Sequence, residues 1–340
     1  MSDIRVTVTG GGSLFGQGII KCLRRADLPL RLHGLDYFEN AMGFHWCDDT
    51  GLLPDLLDPA ISEDAWFVAL CRKVEDAGSQ ILFVGADFEL RPLARLAETL
   101  RARTGCHAVV GPASVVDICK DKYRTARWLR EQGESAPESR LPSDGIDEIE
   151  AAIAYPMLVK PRFGARSRGV ARVDDRAALQ RALADCEDPV VQCYLPGAER
   201  EYSCGVVVLD ERVDTVSVLR RRLKDGNTSI AVADPVPAVD ALCRRVGEAL
   251  APHGPINIQL RLVDETPYIF EINPRFSGTT IFRALLGVNE PERVLRHVLN
   301  LPLPAPPTLR AGRVTRYFDE IVEDDAAAGM TAPPTTMVAP

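Results

Sequence analysis

The chain has 340 residues, 46% hydrophobic and 26% charged, with 25 glycines, 25 prolines and 6% aromatic residues, which excludes collagen, a long coiled coil and a wholly disordered chain and suits one or two packed domains. Forty basic against 48 acidic residues leave a net charge of -8, so the chain as a whole repels phosphodiester backbones and no nucleic-acid partner is expected. Nine scattered cysteines without a C-x-x-C pair, a start unlike a signal peptide and no apolar run near the ~20 residues of a membrane helix predict a cytoplasmic setting, with no zinc site and no membrane partner.

Residues 4–112 alternate apolar runs with amphipathic stretches. Strands are predicted at 4–9, 30–36, 81–85 and 108–111, and helices near 16–25, 62–77 and 90–103, the βα repeat of a parallel sheet. The first turn is Thr9-Gly10-Gly11-Gly12-Ser13-Leu14-Phe15-Gly16, and Asp36 ends the next strand, the outline of a dinucleotide site. Its spacing is G-x-G-x-x-x-G rather than the tighter fingerprint, and such turns also occur where no nucleotide binds.

After Pro112 the pattern changes. A helix is predicted at 122–132, a short one ends at 154, and a strand at 157–162 enters a loop, 163–169, rich in glycine and arginine. Strands at 170–173, 190–193, 202–209 and 213–219, a helix at 177–185, a helix at 238–250 and strands at 256–263 and 267–272 make an α+β lobe. Arg162, Arg166 and Arg168 crowd one predicted loop, and Arg220, Arg221, Arg222 and Lys224 another. These are either solvated basic faces or a means of drawing in a small anion such as a nucleoside triphosphate. From 302 the chain is rich in proline and alanine, and 323–340 reads as a disordered tail.

Chemistry concentrates in the last two strands. With Asp264-Glu265-Thr266 as a three-residue hairpin loop, Val263 faces Pro267, and counting back sets Ile258 opposite Ile272, Leu260 opposite Phe270 and Leu262 opposite Tyr268 on an apolar face. The other face then pairs Gln259 with Glu271 and Asn257 with Asn273. A carboxylate among amides is an oxygen-donor set that suits Mg²⁺ when phosphate and water complete its octahedron; the plainer reading is a wet outer sheet face. Pro274-Arg275-Phe276-Ser277-Gly278-Thr279-Thr280 then adds a cation and hydroxyls. Lys160, ending an apolar strand before the glycine loop, supplies charge next to a flexible backbone that can close over phosphates. The extended connector after Val190-Val191-Gln192-Cys193 exposes backbone groups able to read an adenine edge, with Glu199 and Glu201 near enough for ribose hydroxyls.

Five strings together resemble the ATP-grasp superfamily over about residues 114–301. They are Asp121-Lys122, Tyr155-Pro156-Met157-Leu158-Val159-Lys160-Pro161, Glu201-Tyr202-Ser203, Asn257-Ile258-Gln259 and Glu271-Ile272-Asn273-Pro274-Arg275. The lineage most similar is that of the carbamoyl-phosphate synthetase large subunit. The resemblance implies an α/β plus α+β chain: a Rossmann-like pre-ATP-grasp domain (1–112), a two-lobed ATP-grasp fold (113–301, small lobe about 122–189, large lobe about 190–301) and a C-terminal extension (302–340). It implies that Lys122 and Lys160 contact ATP phosphates, that Gln192, Tyr194 and Leu195 form the adenine hinge, and that Glu201 holds the ribose. Gln259, Glu271 and Asn273 would coordinate Mg²⁺, with Mn²⁺ an allowed substitute, and Arg275 with Lys160 would act on the transferred phosphoryl group. Where many members have a second carboxylate, Gln259 stands, which leaves the number of metals open. With one grasp module rather than two, carbamoyl phosphate is not the expected product. The expected activity is an ATP-dependent carboxylate–amine (or thiol) ligase for small molecules, with a homodimer open to it. The rivals are an NAD(P)-dependent oxidoreductase using the first turn, and a non-catalytic ATP-binding module.

Overall fold

The computed structural model describes residues 3–164 and 168–322, and in it three sheets follow one another along the chain. The first is wholly parallel, in the order β3-β2-β1-β4-β5, from β1 (Ile4–Val8), β2 (Leu30–Asp36), β3 (Asp49–Leu52), β4 (Ile81–Phe83) and β5 (His107–Val109). Alternation along the strands divides their side chains between two cores. Val6, Val8, Leu32, Ile81 and Phe83 pack on Ile19, Ile20 and Leu23 of α1 (Leu14–Leu23). Leu35 and Leu82 meet Trp66, Phe67, Leu70 and Val74 of α2 (Glu63–Ala77) and Leu93 and Leu100 of α3 (Leu90–Thr104). Strand β3 escapes the sequence reading because Asp-Thr-Gly-Leu is too short to show a period.

The glycine turn has a packing reason. A Cβ on Gly16 would lie 2.1 Å from the Gly10 carbonyl oxygen, and one on Gly85 would lie 2.1 Å from that of Thr9. Three backbone segments cross there at a spacing only glycine permits. Ser13 then caps α1, accepting from the Phe15 and Gly16 amides.

Two helices, α4 (Ala113–Lys120) and α5 (Lys122–Glu131), lead into the second sheet, ordered β6-β9-β7-β8. Its strands are β6 (Ser139–Arg140), β7 (Met157–Pro161), β8 (Ala171–Val173) and β9 (Pro189–Cys193). Helices α6 (Ile146–Ala152) and α7 (Arg176–Asp185) cover one face through Ile149, Ile153 and Leu179, against Met157, Val159 and Val191.

The third sheet is antiparallel, ordered β14-β13-β10-β11-β12-β15. It comprises β10 (Glu201–Leu209), β11 (Arg212–Lys224), β12 (Asn227–Ala233), β13 (Pro255–Val263), β14 (Thr266–Asn273) and β15 (Arg313–Thr315). Its apolar face, with Tyr202, Cys204, Val206, Ile258, Leu260, Ile269 and Ile272, packs under α8 (Pro237–Leu250). On the other side lie α9 (Thr280–Leu285) and α10 (Glu290–Val298). The basic run at 220–224 is corrected here: it is strand, not loop, and β11 runs through it to turn at Asp225-Gly226 into β12. Alternation then sends Arg221 inward while Arg220 reaches the exposed edge, where it pairs with Asp234 at 2.9 Å. The predicted loop 163–169 is described only in part, since 165–167, with Arg166, fall outside the described residues, as does the predicted tail 323–340.

Candidate active site

Between the second and third sheets is a cavity of about 170 Å³. Strand alternation builds its walls. Met157 and Val159 face α6 and α7, so Leu158 and Lys160 face the cavity, and Gln192, paired with Leu158 across the sheet, joins them. On the opposite wall, Ile258 and Leu260 enter the core and send Gln259 and Arg261 to the cavity; Tyr202 and Cys204 do the same for Glu201. Lys122, at the first turn of α5, completes the rim. Its ammonium donates to the Gly164 carbonyl at 3.0 Å. Asp121 fixes that helix start by capping the Tyr123 and Arg124 amides and accepting from Arg162 Nη2 at 2.6 Å.

The hairpin that carries the acidic and amide groups has the expected register at its inner end: Asn257 faces Asn273, and Gln259 faces Glu271. Its outer half is corrected. The turn is the two residues Asp264 and Glu265, both with positive φ (45° and 62°), and the register slips between Gln259 and Leu260, so Leu260 faces Ile269 and Leu262 faces Pro267. A two-residue turn of this hand follows strand twist better than a three-residue loop, and a bulge at Phe270 absorbs the difference. Ile269 therefore takes the core place assigned to Phe270, and the Phe270 ring lies in the cavity, 5.9 Å from Lys160 Nζ. Sequence alternation alone could not show Phe270 at the site.

Oxygen donors dominate this patch. Asn273 Nδ2 donates to Glu271 Oε1 at 3.3 Å, and Gln259 Oε1 accepts from Arg221 Nη2 at 2.6 Å. Among the described residues, no group of three His, Cys, Asp or Glu could cage a metal. One carboxylate with two amide oxygens fits a hard cation only when phosphate oxygens and water supply the remaining positions, which is the usual bargain for Mg²⁺.

Charge is concentrated and desolvated here. Burial and then the neighbouring Lys122 pull the Lys160 ammonium down to about 8, against Glu271, which holds it up. Burial likewise lowers Lys122, opposed by Glu271. Glu201 is clamped by two arginines, Arg221 Nε and Arg261 Nε each at 3.0 Å. Leu195 and Gln192 line the cavity, and so does Cys193; Tyr194 does not, its ring lying 4.9 Å from the Arg172 guanidinium. Arg275 is 7% exposed and turned toward the first sheet. It makes a two-pronged pair with Asp87 at 2.9 and 3.2 Å, donates to Asn273 Oδ1 at 3.2 Å and stacks 3.7 Å from the Phe15 ring centroid. Burial by itself would raise the Asp87 carboxyl, but Arg275 and Lys120 outweigh it and hold it well below the usual range. Asp87 and Phe15 are the residues the sequence reading missed at this end of the site; they lie 188 and 260 positions from Arg275 with no motif to mark them.

The first turn is occupied by the protein itself. Asp36 Oδ2 accepts from the Gly12 amide at 2.7 Å, so a carboxylate lies on the backbone that a pyrophosphate would use. Beside it opens a larger cavity of about 1060 Å³, lined by Tyr37, Phe38, Asp87, Phe88 and Arg168.

Residues 185–321 match the family described as ATP-grasp in the biosynthetic pathway with Ter operon. The carbamoyl phosphate synthase large chain of Pseudothermotoga lettingae is 26% identical over 243 residues, covering 66% of this chain and 21% of its own. Among solved structures, N5-carboxyaminoimidazole synthetase from Staphylococcus aureus complexed with ADP has a TM-score of 0.70 at 13% identity, covering 91% of this chain and 81% of that one. L-amino acid ligase from Bacillus licheniformis has a TM-score of 0.67 at 20% identity, covering 88% and 75%. The chain is similar to proteins of the ATP-grasp superfamily. Within it, the sequence is similar to carbamoyl phosphate synthase large chains, of which it spans about a fifth of the first relative's length.

Proposed function

We propose that the protein is an ATP- and Mg²⁺-dependent ligase that joins a small carboxylate to an amine, or to a thiol, through an acyl phosphate, releasing ADP and phosphate. The observation that carries this reading is Glu271 facing Gln259 on one wall of a cavity whose other residues include Lys160 and Lys122. In this reading residues 113–301 are the grasp module, and 1–112, with its parallel sheet, the Rossmann-like pre-grasp domain. The adenine lies between Leu158 and Leu195 against the backbone beside Gln192, while Tyr194, turned away, contributes main chain alone. Glu201, its two oxygens each held by an arginine, keeps lone pairs for ribose hydroxyls.

Lys160 and Lys122, both desolvated by burial, place positive charge on the phosphates where water screens it least. Glu271, Gln259 and Asn273 would hold Mg²⁺, which when bound neutralises phosphate charge and aligns the transferred group. The substrate carboxylate attacks the γ-phosphorus, and the bond from that phosphorus to the β–γ bridging oxygen breaks. Arg275, fixed by Asp87, offers a planar fork to the acyl phosphate. The amine then adds to the acyl carbon and expels phosphate. No Ser or Cys nucleophile is required, because phosphoryl transfer depends on position and charge.

The oxidoreductase reading is not favoured: a dinucleotide would bring its phosphates against Asp36 and would have to displace it from the Gly12 amide. Product analysis tests the ligase reading. Turnover with panels of carboxylates and amines should yield ADP and phosphate, and hydroxylamine with the true carboxylate should trap a hydroxamate. AMP as the nucleotide product would overturn the assigned roles together.

A further inference from the structure

Beyond α10 the chain returns to the third sheet as β15, pairing Val314 with Ala231 and Thr315 with Ile230. Val314 packs with the core formed by Leu219, Ala231, Phe282 and Leu286. Two residues on, Arg316 shares that inner face, and its amide still bonds the Ser229 carbonyl at 2.7 Å. A strand that continues inward with arginine puts a cation where the preceding residues are apolar.

The guanidinium is poorly compensated. Its Nη2 donates to the Gly278 carbonyl and its central carbon lies 5.1 Å from the Phe282 ring centroid, but Nε is buried with no partner. Among the described residues it forms no ion pair, and burial lowers its pKa. Lys21 is lowered first by its own burial and then by Arg316 nearby, with Asp319 opposing. An unmatched, desolvated cation is costly and is best explained by an anion that arrives from outside.

The surroundings fit such an anion. Arg316 lines a cavity of about 100 Å³ together with Glu271, Arg275, Ser277, Thr279 and Asn257. Arg221 and Arg275 reach the same cavity but are already matched, by Glu201 and Asp87. Arg316 alone of the three is not. Ser277 and Thr279 accept from Arg283 at 3.0 and 2.8 Å, which turns their own protons away from that arginine.

We propose that Arg316 anchors an anionic group, carboxylate or phosphate, of the small acidic substrate that enters beside Glu271, so that β15 is a wall of the substrate site. This names the substrate class of the same site and rests on the ligase reading for the neighbouring nucleotide. The space admits the anionic group and a few carbons beside Glu271.

Calorimetric titration of the full chain with inorganic phosphate and with acetate, at fixed ionic strength, tests it. Arg316→Gln should weaken binding of the preferred anion tenfold or more. Arg313→Gln, on the same strand but lining a different cavity, should leave it within twofold, and MgADP affinity should be retained in both. Preference for phosphate or for acetate tells which group the site takes. Equal anion binding in wild type and Arg316→Gln, no anion binding in wild type, or equal losses in both variants would overturn the proposal. If MgADP fails to bind the wild type while anion binding still depends on Arg316, the ligase reading falls and the anion site stands.

Discussion

Asp87 and Arg275 meet because the loop after β4 and the end of β14 are brought to one place. Removing one member of a largely buried pair leaves an uncompensated charge, at a cost of about 3–5 kcal/mol. Asp87→Ala should therefore lower the thermal midpoint and the rate together, read by calorimetry and turnover. Glu271→Gln should behave differently: side-chain volume is kept, so the midpoint stays while turnover falls at least ~100-fold. Turnover within a few-fold of wild type at millimolar Mg²⁺ would remove Glu271 from the metal set. Glu89 offers a test by pH. It is buried against Thr9, and burial with Asp36 nearby raises its carboxyl to about 8. The folded state then holds a proton that the unfolded state releases near 4.5, so its contribution is whole below 4.5 and fades as pH rises through 8. Melting between pH 5 and 8 should show a loss of about 1.4 kcal/mol per unit that Glu89→Gln removes. That Lys160, Gln259 and Glu271 face one cavity, with Asn273 beside Glu271, was legible from alternation and spacing. Asp87 was not, because nothing local marks a partner 188 residues away.

At the scale of elements, strand parity explains most of what sequence could and could not give. The inner half of the β13–β14 hairpin was legible because its apolar and polar residues alternate without interruption. The outer half was misread, since a bulge shifts the count by one and leaves no mark in composition. Likewise the basic run at 220–224 looked like loop until its alternation, Arg221 inward and Arg220 outward, was set in β11. The hairpin turn suggests a gain: Glu265 holds φ 62° with only an exposed pair to Arg200. Glu265→Gly should relieve backbone strain of ~1 kcal/mol and raise the midpoint by about 1–3 °C. Gly205, in the middle of β10, predicts the reverse. A Cβ there would sit 2.1 Å from Glu290 Oε1 and 2.5 Å from Arg283 Nε, a fully buried ion pair beneath the Ser277–Thr280 turn. Gly205→Ala should lose about 3 kcal/mol, seen as a fall in soluble yield or in the urea midpoint.

For the whole molecule, one core joins what the sequence divides. Val6, Val8, Ile19, Ile20 and Leu32 of the first sheet and its helix pack in the same cluster as Val207 of β10, Phe276, and Val294 and Leu295 of α10. Phe83 and Phe276 rings stand 5.9 Å apart, and Asn289 donates to the Cys22 carbonyl at 2.8 Å. A protein comprising residues 1–112 alone should accordingly bind a hydrophobic dye and aggregate, and coexpression with 113–340 should recover soluble complex; a monomeric, dye-silent 1–112 would contradict this. The arrangement also imposes a schedule on synthesis. At ~5–20 residues per second, roughly 15–50 s separate the emergence of α1 from that of α10. During that interval the nascent first sheet carries an uncovered apolar side, so its completion waits on α10, the last helix among the described residues, and the ribosome-bound chain is a client for chaperones until then.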